Sequence, residues 1–173
     1  MSPPVDAQTP RLVLHAVDEA EARRILDGAP GADERWAPDY PFEGDLAGVG
    51  AFLRAVEHHG EQRPFGYYQV RLREDGLAIG GIGFKGPPED GAVEVGYGLA
   101  PSARGSGYAT EALRAAVELA GTLDVGAVRA DTDVDNAASQ RVLEKAGFHL
   151  TGEDADARRY EIRTRPAESL DGR

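Results

Sequence analysis

Cysteine is absent from the 173-residue chain, which excludes disulfide bonds, cysteine-ligated zinc and a thiol nucleophile. Long apolar runs are also lacking, and no stretch approaches the length of a membrane span. Residues 1–10 show no basic region followed by an apolar stretch. These absences predict a protein that stays in the cytoplasm and has no membrane partner.

Positive charge is scarce, with 19 Lys and Arg against 30 Asp and Glu and a formal net charge of -11. This balance disfavours nucleic acid as a partner and favours cationic partners. The hydrophobic fraction of 41% and the charged fraction of 28% are ordinary for one globular domain. No internal repeat or linker divides the chain, so a single domain with one core is predicted, with loose termini at residues 1–8 and 166–173.

The hydrophobic pattern alternates between strand and helix periods along the chain. Period-two alternation predicts strands at residues 11–17, 67–73, 77–84, 92–99 and 127–134, and a last hairpin at 148–153 and 158–165. Helical spacing predicts helices at residues 18–26, 46–59 and 110–120, and a further helix that Asp135 or Asn136 caps and Gly147 ends.

The most informative segment is a turn that is nearly free of side chains and leads directly into a helix. We call residues 104–109 the glycine turn. Its small residues leave room for phosphate oxygens to approach backbone N–H groups, and a helix start adds a partial positive charge. Glycine-rich connections also occur without a ligand, so the turn alone leaves both interpretations open. Its members are Arg104, Gly105, Ser106, Gly107, Tyr108 and Ala109.

A second glycine pattern has a different interpretation. Gly81, Gly83 and Gly86 have the spacing of the dinucleotide-binding fingerprint, but Pro87 and Pro88 follow where that fingerprint needs a helix. We therefore interpret these glycines as strand and turn positions.

Residues 27–45 break the helical pattern and combine aromatic with acidic side chains. Such a loop indicates a substrate-facing lid, although a plain surface loop fits the same pattern. The aromatic residues are Trp36, Tyr40 and Phe42, and the acids are Asp33, Glu34, Asp39, Glu43 and Asp45.

Two blocks together resemble the GNAT N-acetyltransferases, most closely the ribosomal-protein N-terminal acetyltransferase-like branch. The glycine turn fits that family's acetyl-CoA signature, Arg/Gln-x-x-Gly-x-Gly/Ala, and residues 136–148 are similar to its other cofactor-side segment. The resemblance covers residues 9–165. It implies one α/β domain whose central mixed, mostly antiparallel sheet is splayed at the acetyl-CoA site and flanked by helices.

The resemblance further implies transfer of an acetyl group from acetyl-CoA to a primary amine by direct attack, with acetyl-CoA as co-substrate and no metal. The acceptor stays open between a protein N-terminus, an amine antibiotic and a small amine metabolite, so the partner is a small molecule or a peptide; a homodimer is also left open. Many members have a tyrosine where this chain has Leu143. A non-catalytic acyl-CoA-binding sensor or interaction module is therefore the alternative.

The resemblance assigns the donor side of the site to three segments. The backbone of Tyr97, Gly98 and Leu99 is the implied partner of the pantetheine arm, and glycine at position 98 makes a close approach reasonable. The glycine turn is the implied phosphate site. Asn136 and Ser139 complete the implied cofactor contacts, although Asn136 also suits a helix cap.

Catalysis requires a neutral amine and a proton for the departing thiolate. Glu94 is the predicted base and an acceptor contact, and a solvent-facing strand glutamate is its alternative interpretation. Ser139 is the predicted proton donor, with a helix first-turn residue as the alternative. The other predicted acceptor contacts are Trp36, Tyr40 and Phe42. His58 and His59 are predicted to be a solvated helix end rather than a metal pair.

Overall fold

The protein is described by a computed structural model that covers residues 6–165. The strands are β1 (Ala7–Gln8), β2 (Leu12–Ala16), β3 (Arg35–Trp36), β4 (Tyr67–Leu72), β5 (Leu77–Phe84), β6 (Ala92–Leu99), β7 (Ala127–Asp133), β8 (His149–Glu153) and β9 (Ala157–Arg163). The helices are α1 (Glu19–Asp27), α2 (Glu43–His59), α3 (Tyr108–Thr122) and α4 (Ala137–Lys145), with a 3-10 turn at Pro101–Ala103.

The nine strands form one sheet in the order β1-β2-β4-β5-β6-β7-β9-β8, with β3 beside β5. Two contacts, β6 with β7 and β3 with β5, are parallel, and the others are antiparallel. The predicted mixed, mostly antiparallel sheet flanked by helices is therefore confirmed.

The N-terminal edge differs from the prediction. Ala7 and Gln8, which were predicted to be loose, pair with Leu14 and Val13 and form β1. The Asp6 carboxylate accepts a hydrogen bond from the Ala16 amide over 2.9 Å, which fastens this short strand. Two strand residues are too few for a period-two pattern to show. Residues 1–5 and 166–173, also predicted to be loose, lie outside the described residues.

The sheet opens between β6 and β7. Their parallel register covers only three pairs, Ala92–Glu94 against Ala127–Arg129. Beyond them, β6 stays paired with β5, while β7 stays paired with β9 as far as Asp133. Each strand keeps a neighbour on its other side, so the two can diverge without losing their remaining ladders. We call the resulting opening the gap, and it confirms the predicted splay.

Apolar side chains are buried on both faces of the sheet, where a single core was predicted. A larger cluster under α3 and α4 includes Leu113, Val128 and Leu143, each fully buried. A smaller cluster under α1 and α2 includes Ile25 and Val49. Burying one such side chain contributes about 1.5–3 kcal/mol. A mixed sheet with helices on both faces needs two such clusters because each face must be covered.

Two glycines that face each other across β5 and β6 differ in how much space surrounds them. Gly81 and Gly98 are register partners. A Cβ added to Gly81 would overlap the Tyr67 hydroxyl, whereas one added to Gly98 would meet no described atom within 4 Å.

Replacing Gly81 by alanine should therefore lower the free energy of unfolding by about 1–3 kcal/mol, because the buried Tyr67 ring must move. Gly98→Ala, the matched control, should change it by less than about 0.5 kcal/mol. Urea unfolding of both variants measures the difference. Equal effects at the two positions would show that Tyr67 does not constrain this part of β5.

Candidate active site

The glycine turn has the backbone needed for anion binding. Gly105 and Gly107 have φ angles of 89° and 82°, in the left-handed region where a side chain is strained. Gly107 is the N-cap of α3, and no side chain caps the helix there. The N–H groups of the first turn of α3 therefore have no side-chain cap. Such groups at a helix start bind phosphate oxygens.

A second arginine supports this turn from the other end of the chain. The Arg11 guanidinium donates to the Ser106 carbonyl over 2.8 Å and lies 4.5 Å from the centroid of the Tyr108 ring. Its Nε donates to Glu111 over 2.7 Å. Burial alone would raise the pKa of Glu111, but hydrogen bonds from Thr9 and Arg11 lower it. Nothing in the spacing of the sequence marks Arg11, because only tertiary folding brings it to the turn.

Arg104 takes a different course from the one predicted. Its Nε donates to the Leu99 carbonyl over 3.1 Å, and its guanidinium lies 5.1 Å from the centroid of the Phe42 ring. The side chain thus ties the end of β6 to the start of α2. A contact of Arg104 with phosphate stays a prediction.

The backbone of β6 divides into two sets of peptide groups. Lys85 N–H donates to Glu94 and Ala100 N–H donates to Ile79, each over 2.8 Å. Because hydrogen-bond directions alternate along an antiparallel pair, the peptide groups of even-numbered residues face β5 and those of Tyr97 and Leu99 face the gap. The contact of Tyr97 and Leu99 with an extended ligand stays a prediction that this direction allows. Gly98 does not have this direction, because its peptide groups are directed to β5.

The side chain of Tyr97 reaches the start of α4. Its hydroxyl lies 2.8 Å from the Ser139 hydroxyl and 3.2 Å from the Ser139 carbonyl oxygen. The Ser139 amide in turn donates to the Asn136 side chain over 3.1 Å, so Asn136 caps α4. Burial raises the pKa of Tyr97 despite its hydrogen bond with the Ser139 side chain, so the phenol stays protonated at neutral pH. The sequence pattern indicated only the backbone of Tyr97.

Glu94 lies on the face of β6 opposite to Tyr97. Its carboxylate accepts a hydrogen bond from Lys85 over 2.8 Å, and 39% of its side chain is exposed. Its register partner on β7 is Arg129. Glu94 is therefore a partly exposed, ion-paired carboxylate, and its role as a base stays a prediction.

A cavity of about 700 Å³ lies between α2 and the strands β5 and β6. We call it the slot. Residues from both strands and from the helix line it, and most of them are apolar or glycine. The polar side chains are Asp45, His59, Gln62, Tyr67, Lys85 and Glu89, and the aromatic ones are Phe52, Phe65, Tyr67, Phe84 and Tyr97. His59 was predicted to be only a solvated helix end.

The predicted aromatic lid is not placed against the slot. Tyr40 is 5% exposed and belongs to the smaller core cluster, and Trp36 packs against it edge to face with centroids 5.4 Å apart. Phe42 is 39% exposed and lies beside Arg104. The loop folds onto β5 through β3, so it fills the core beneath α2. None of the three residues lines the slot, where α2 forms the wall, and their contact with the acceptor stays a prediction.

One acid of that loop does line the slot. Asp45 lies in the first turn of α2, is 3% exposed, and accepts hydrogen bonds from the Phe42 amide over 2.9 Å and the Tyr67 hydroxyl over 3.2 Å. The Tyr67 hydroxyl also lies 3.2 Å from that of Tyr40. Burial raises the pKa of Asp45 against both hydrogen bonds. A carboxylate three residues after a helix boundary is a recognisable capping signal, but its burial is not visible in the sequence.

Two absences can be stated for the part of the chain that the structure describes. Residues 6–165 contain no helix long and apolar enough to cross a membrane. The same residues contain no group of three or more His, Asp or Glu side chains that could hold a metal ion.

Comparison with known proteins gives a consistent set of relatives. YjdG of Bacillus subtilis (strain 168), an uncharacterized N-acetyltransferase, is 26% identical over 163 residues, which span 88% of this chain and 95% of YjdG. The solved structure of the ribosomal alpha-N-protein acetyltransferase RimL in complex with coenzyme A has a TM-score of 0.66 at 20% identity, covering 92% of this chain and 98% of RimL.

A chimera of the spermidine N-acetyltransferase SpeG from Vibrio cholerae has a TM-score of 0.65 at 18% identity, covering 88% of this chain and 95% of the chimera. At these identities the structural matches show the fold. The family model of the acetyltransferase (GNAT) domain matches residues 11–149, which include the gap, the glycine turn and α4. The chain therefore belongs to the GNAT acetyltransferase family.

Proposed function

We propose that the protein transfers an acetyl group from acetyl-CoA to a primary amine. The observation that carries this proposal is the gap, towards which the peptide groups of Tyr97 and Leu99 point. The glycine turn comes after β6 along the chain and leads into α3, which packs on both β6 and β7. Acetyl-CoA would supply the activated acetyl thioester. A cytoplasmic location and the identity of the acceptor stay predictions.

The donor side would be held mainly by backbone groups. The N–H groups at the start of α3 suit the pyrophosphate, and the Tyr97 peptide suits an extended amide-containing arm. Arg11 adds a cation beneath the turn. The Leu99 N–H is placed to bind the developing oxyanion, while its carbonyl is already taken by Arg104.

Two side-chain groups are proposed to move protons. Glu94 would accept a proton from the ammonium of the acceptor, directly or through water, and its carboxylate already accepts a hydrogen bond from Lys85. The Ser139 hydroxyl would donate a proton to the departing sulfur. The Tyr97 phenol can donate to the Ser139 oxygen, which would turn the serine proton towards the gap.

Binding of CoA tests the donor half directly. Gly107→Trp should abolish CoA binding in calorimetry, because a side chain there is strained and obstructs the helix start. Gly76→Trp is the matched control, since Gly76 also has a positive φ, 78°, but lies in the turn between β4 and β5. Equal CoA affinity in the two variants would contradict the proposed phosphate site.

Turnover tests the base. Glu94→Gln should keep CoA affinity and lower kcat near neutral pH by about 10²–10⁴-fold, which is the usual contribution of a positioned base. The measurement is thiol release over a pH series with an accepted amine. An unchanged pH profile would remove Glu94 from the mechanism, and CoA binding without release of thiol for any amine would favour the non-catalytic sensor.

Coupling between Tyr97 and Ser139 tests the proton donor. Ser139→Ala and Tyr97→Phe should each lower kcat more than they raise the KM for acetyl-CoA. Their effects should be non-additive by about 0.5–3 kcal/mol, as for residues in one hydrogen-bonded unit. A double-mutant cycle on kcat measures this coupling. Fully additive effects would mean that the hydrogen bond between the two hydroxyls has no part in proton transfer.

A further inference from the structure

We propose that the acceptor is a small primary amine with a flat, apolar body, and that this body lies in the slot between α2 and the paired glycines of β5 and β6. The inference rests on the proposed function, because it names the class of amine that the same site would acetylate. Three features of the slot support this class. They are the shape of its two walls, the hydrogen bonds that already pair the backbone around it, and the charge of its lining.

Paired glycines of β5 and β6 form part of the floor of the slot. Gly81 is the register partner of Gly98, and Gly83 is the partner of Gly96. Residues two apart on a strand share a face, and so do register partners, so all four glycines face α2. The Tyr67 side chain covers Gly81, so the open part of the floor is the backbone of Gly96 and Gly98 on β6. A flat ring can approach this part closely, which favours dispersion contacts.

The opposite wall is formed by α2. Five of the α2 residues that line the slot are small and recur at helical spacing, which places them on one face, and Asp45, Phe52 and His59 of the same helix line it too. A helix over a sheet ordinarily fills this layer with large side chains, and here small residues on both walls leave about 700 Å³. That volume is in the range of small-molecule sites. The small residues on α2 are Gly44, Ala47, Gly48, Ala51 and Ala55.

The backbone around the slot argues against a peptide acceptor. A peptide entering an apolar slot must find partners for its own N–H and C=O groups, or lose several kcal/mol for each that stays unpaired. The strand β5 is already paired on both sides, with β4 and β6, so it offers no edge for strand addition.

The charge of the lining favours a cationic group. Asp45 and Glu89 are the carboxylates of the lining, and the single lysine, Lys85, is already paired with Glu94. The hydrogen-bond partners of Asp45 are the Phe42 amide and the Tyr67 hydroxyl, both uncharged. Tyr67 reaches over Gly81, so this carboxylate lies near the Gly81 and Gly98 pair. The two carboxylates outnumber the lysine in the lining, so the lining favours a cationic acceptor.

A panel of amines tests the acceptor class in thiol-release assays with acetyl-CoA. The panel contains 2-phenylethylamine and tryptamine, then ethanolamine, spermidine and a peptide with a free N-terminal serine. The first two should have kcat/KM values at least about 10-fold above the others, since burying an aromatic ring removes over 100 Å² of apolar surface from water. Preference for spermidine or the peptide would overturn the acceptor class but leave amine acetylation standing. No turnover with any amine would overturn both proposals.

A single substitution tests the location of the body. Gly98→Val should keep CoA affinity in calorimetry and raise the KM for 2-phenylethylamine at least about 10-fold, because its side chain would enter the slot where no described atom lies within 4 Å of the Cβ. Gly50→Ala, on the same helix as the wall but outside the lining, is the control and should behave as the unmodified protein. An unchanged KM in Gly98→Val, or loss of CoA affinity, would overturn the placement of the acceptor.

Discussion

The divergence of β6 from β7 is the constraint on which the rest of the structure depends. The two strands share only three parallel register pairs before each continues with its other neighbour. An unpaired strand edge inside a domain leaves peptide groups that need partners, and here the Leu99 carbonyl takes Arg104 while Tyr97 reaches α4. These two contacts anchor β6 beside the gap and leave its other peptide groups there available. A site that binds a ligand by main-chain hydrogen bonds needs such available groups.

The elements with a local cause could be predicted from the sequence, and the contacts that depend on distant residues could not. The strand β6 has the bounds that its alternation indicates, and Asn136 caps α4 because capping is a local hydrogen bond. The glycine turn was likewise visible from residue types. Arg11 was not, because a strand arginine has no feature that distinguishes one that supports a distant turn.

The loop before α2 is a second case in which the sequence alone did not predict the contacts. Its aromatic residues looked like contacts for a ligand, but Tyr40 is buried beneath α2 and shares a hydrogen bond with Tyr67. Composition cannot distinguish an aromatic residue that binds a ligand from one that packs in the core. The register of β3 on β5 decides this case, since it turns the loop inwards. Asp45, which the sequence pattern did not distinguish from the other acids of the loop, is the acid among them that lines the slot.

The alternation of β6 has a consequence for how such a protein can change. The peptide groups of odd-numbered residues such as Tyr97 and Leu99 are directed to the gap. The even-numbered residues Gly96 and Gly98 present only Cα hydrogens to the slot. In the proposed function, the main chain of β6 then binds the donor, and the glycines of the same strand leave the space in which the acceptor binds. Main-chain groups are the same for every amino acid, so a substitution at position 98 would alter one half of the reaction alone. Selectivity for new amines could then evolve without any loss of the shared donor.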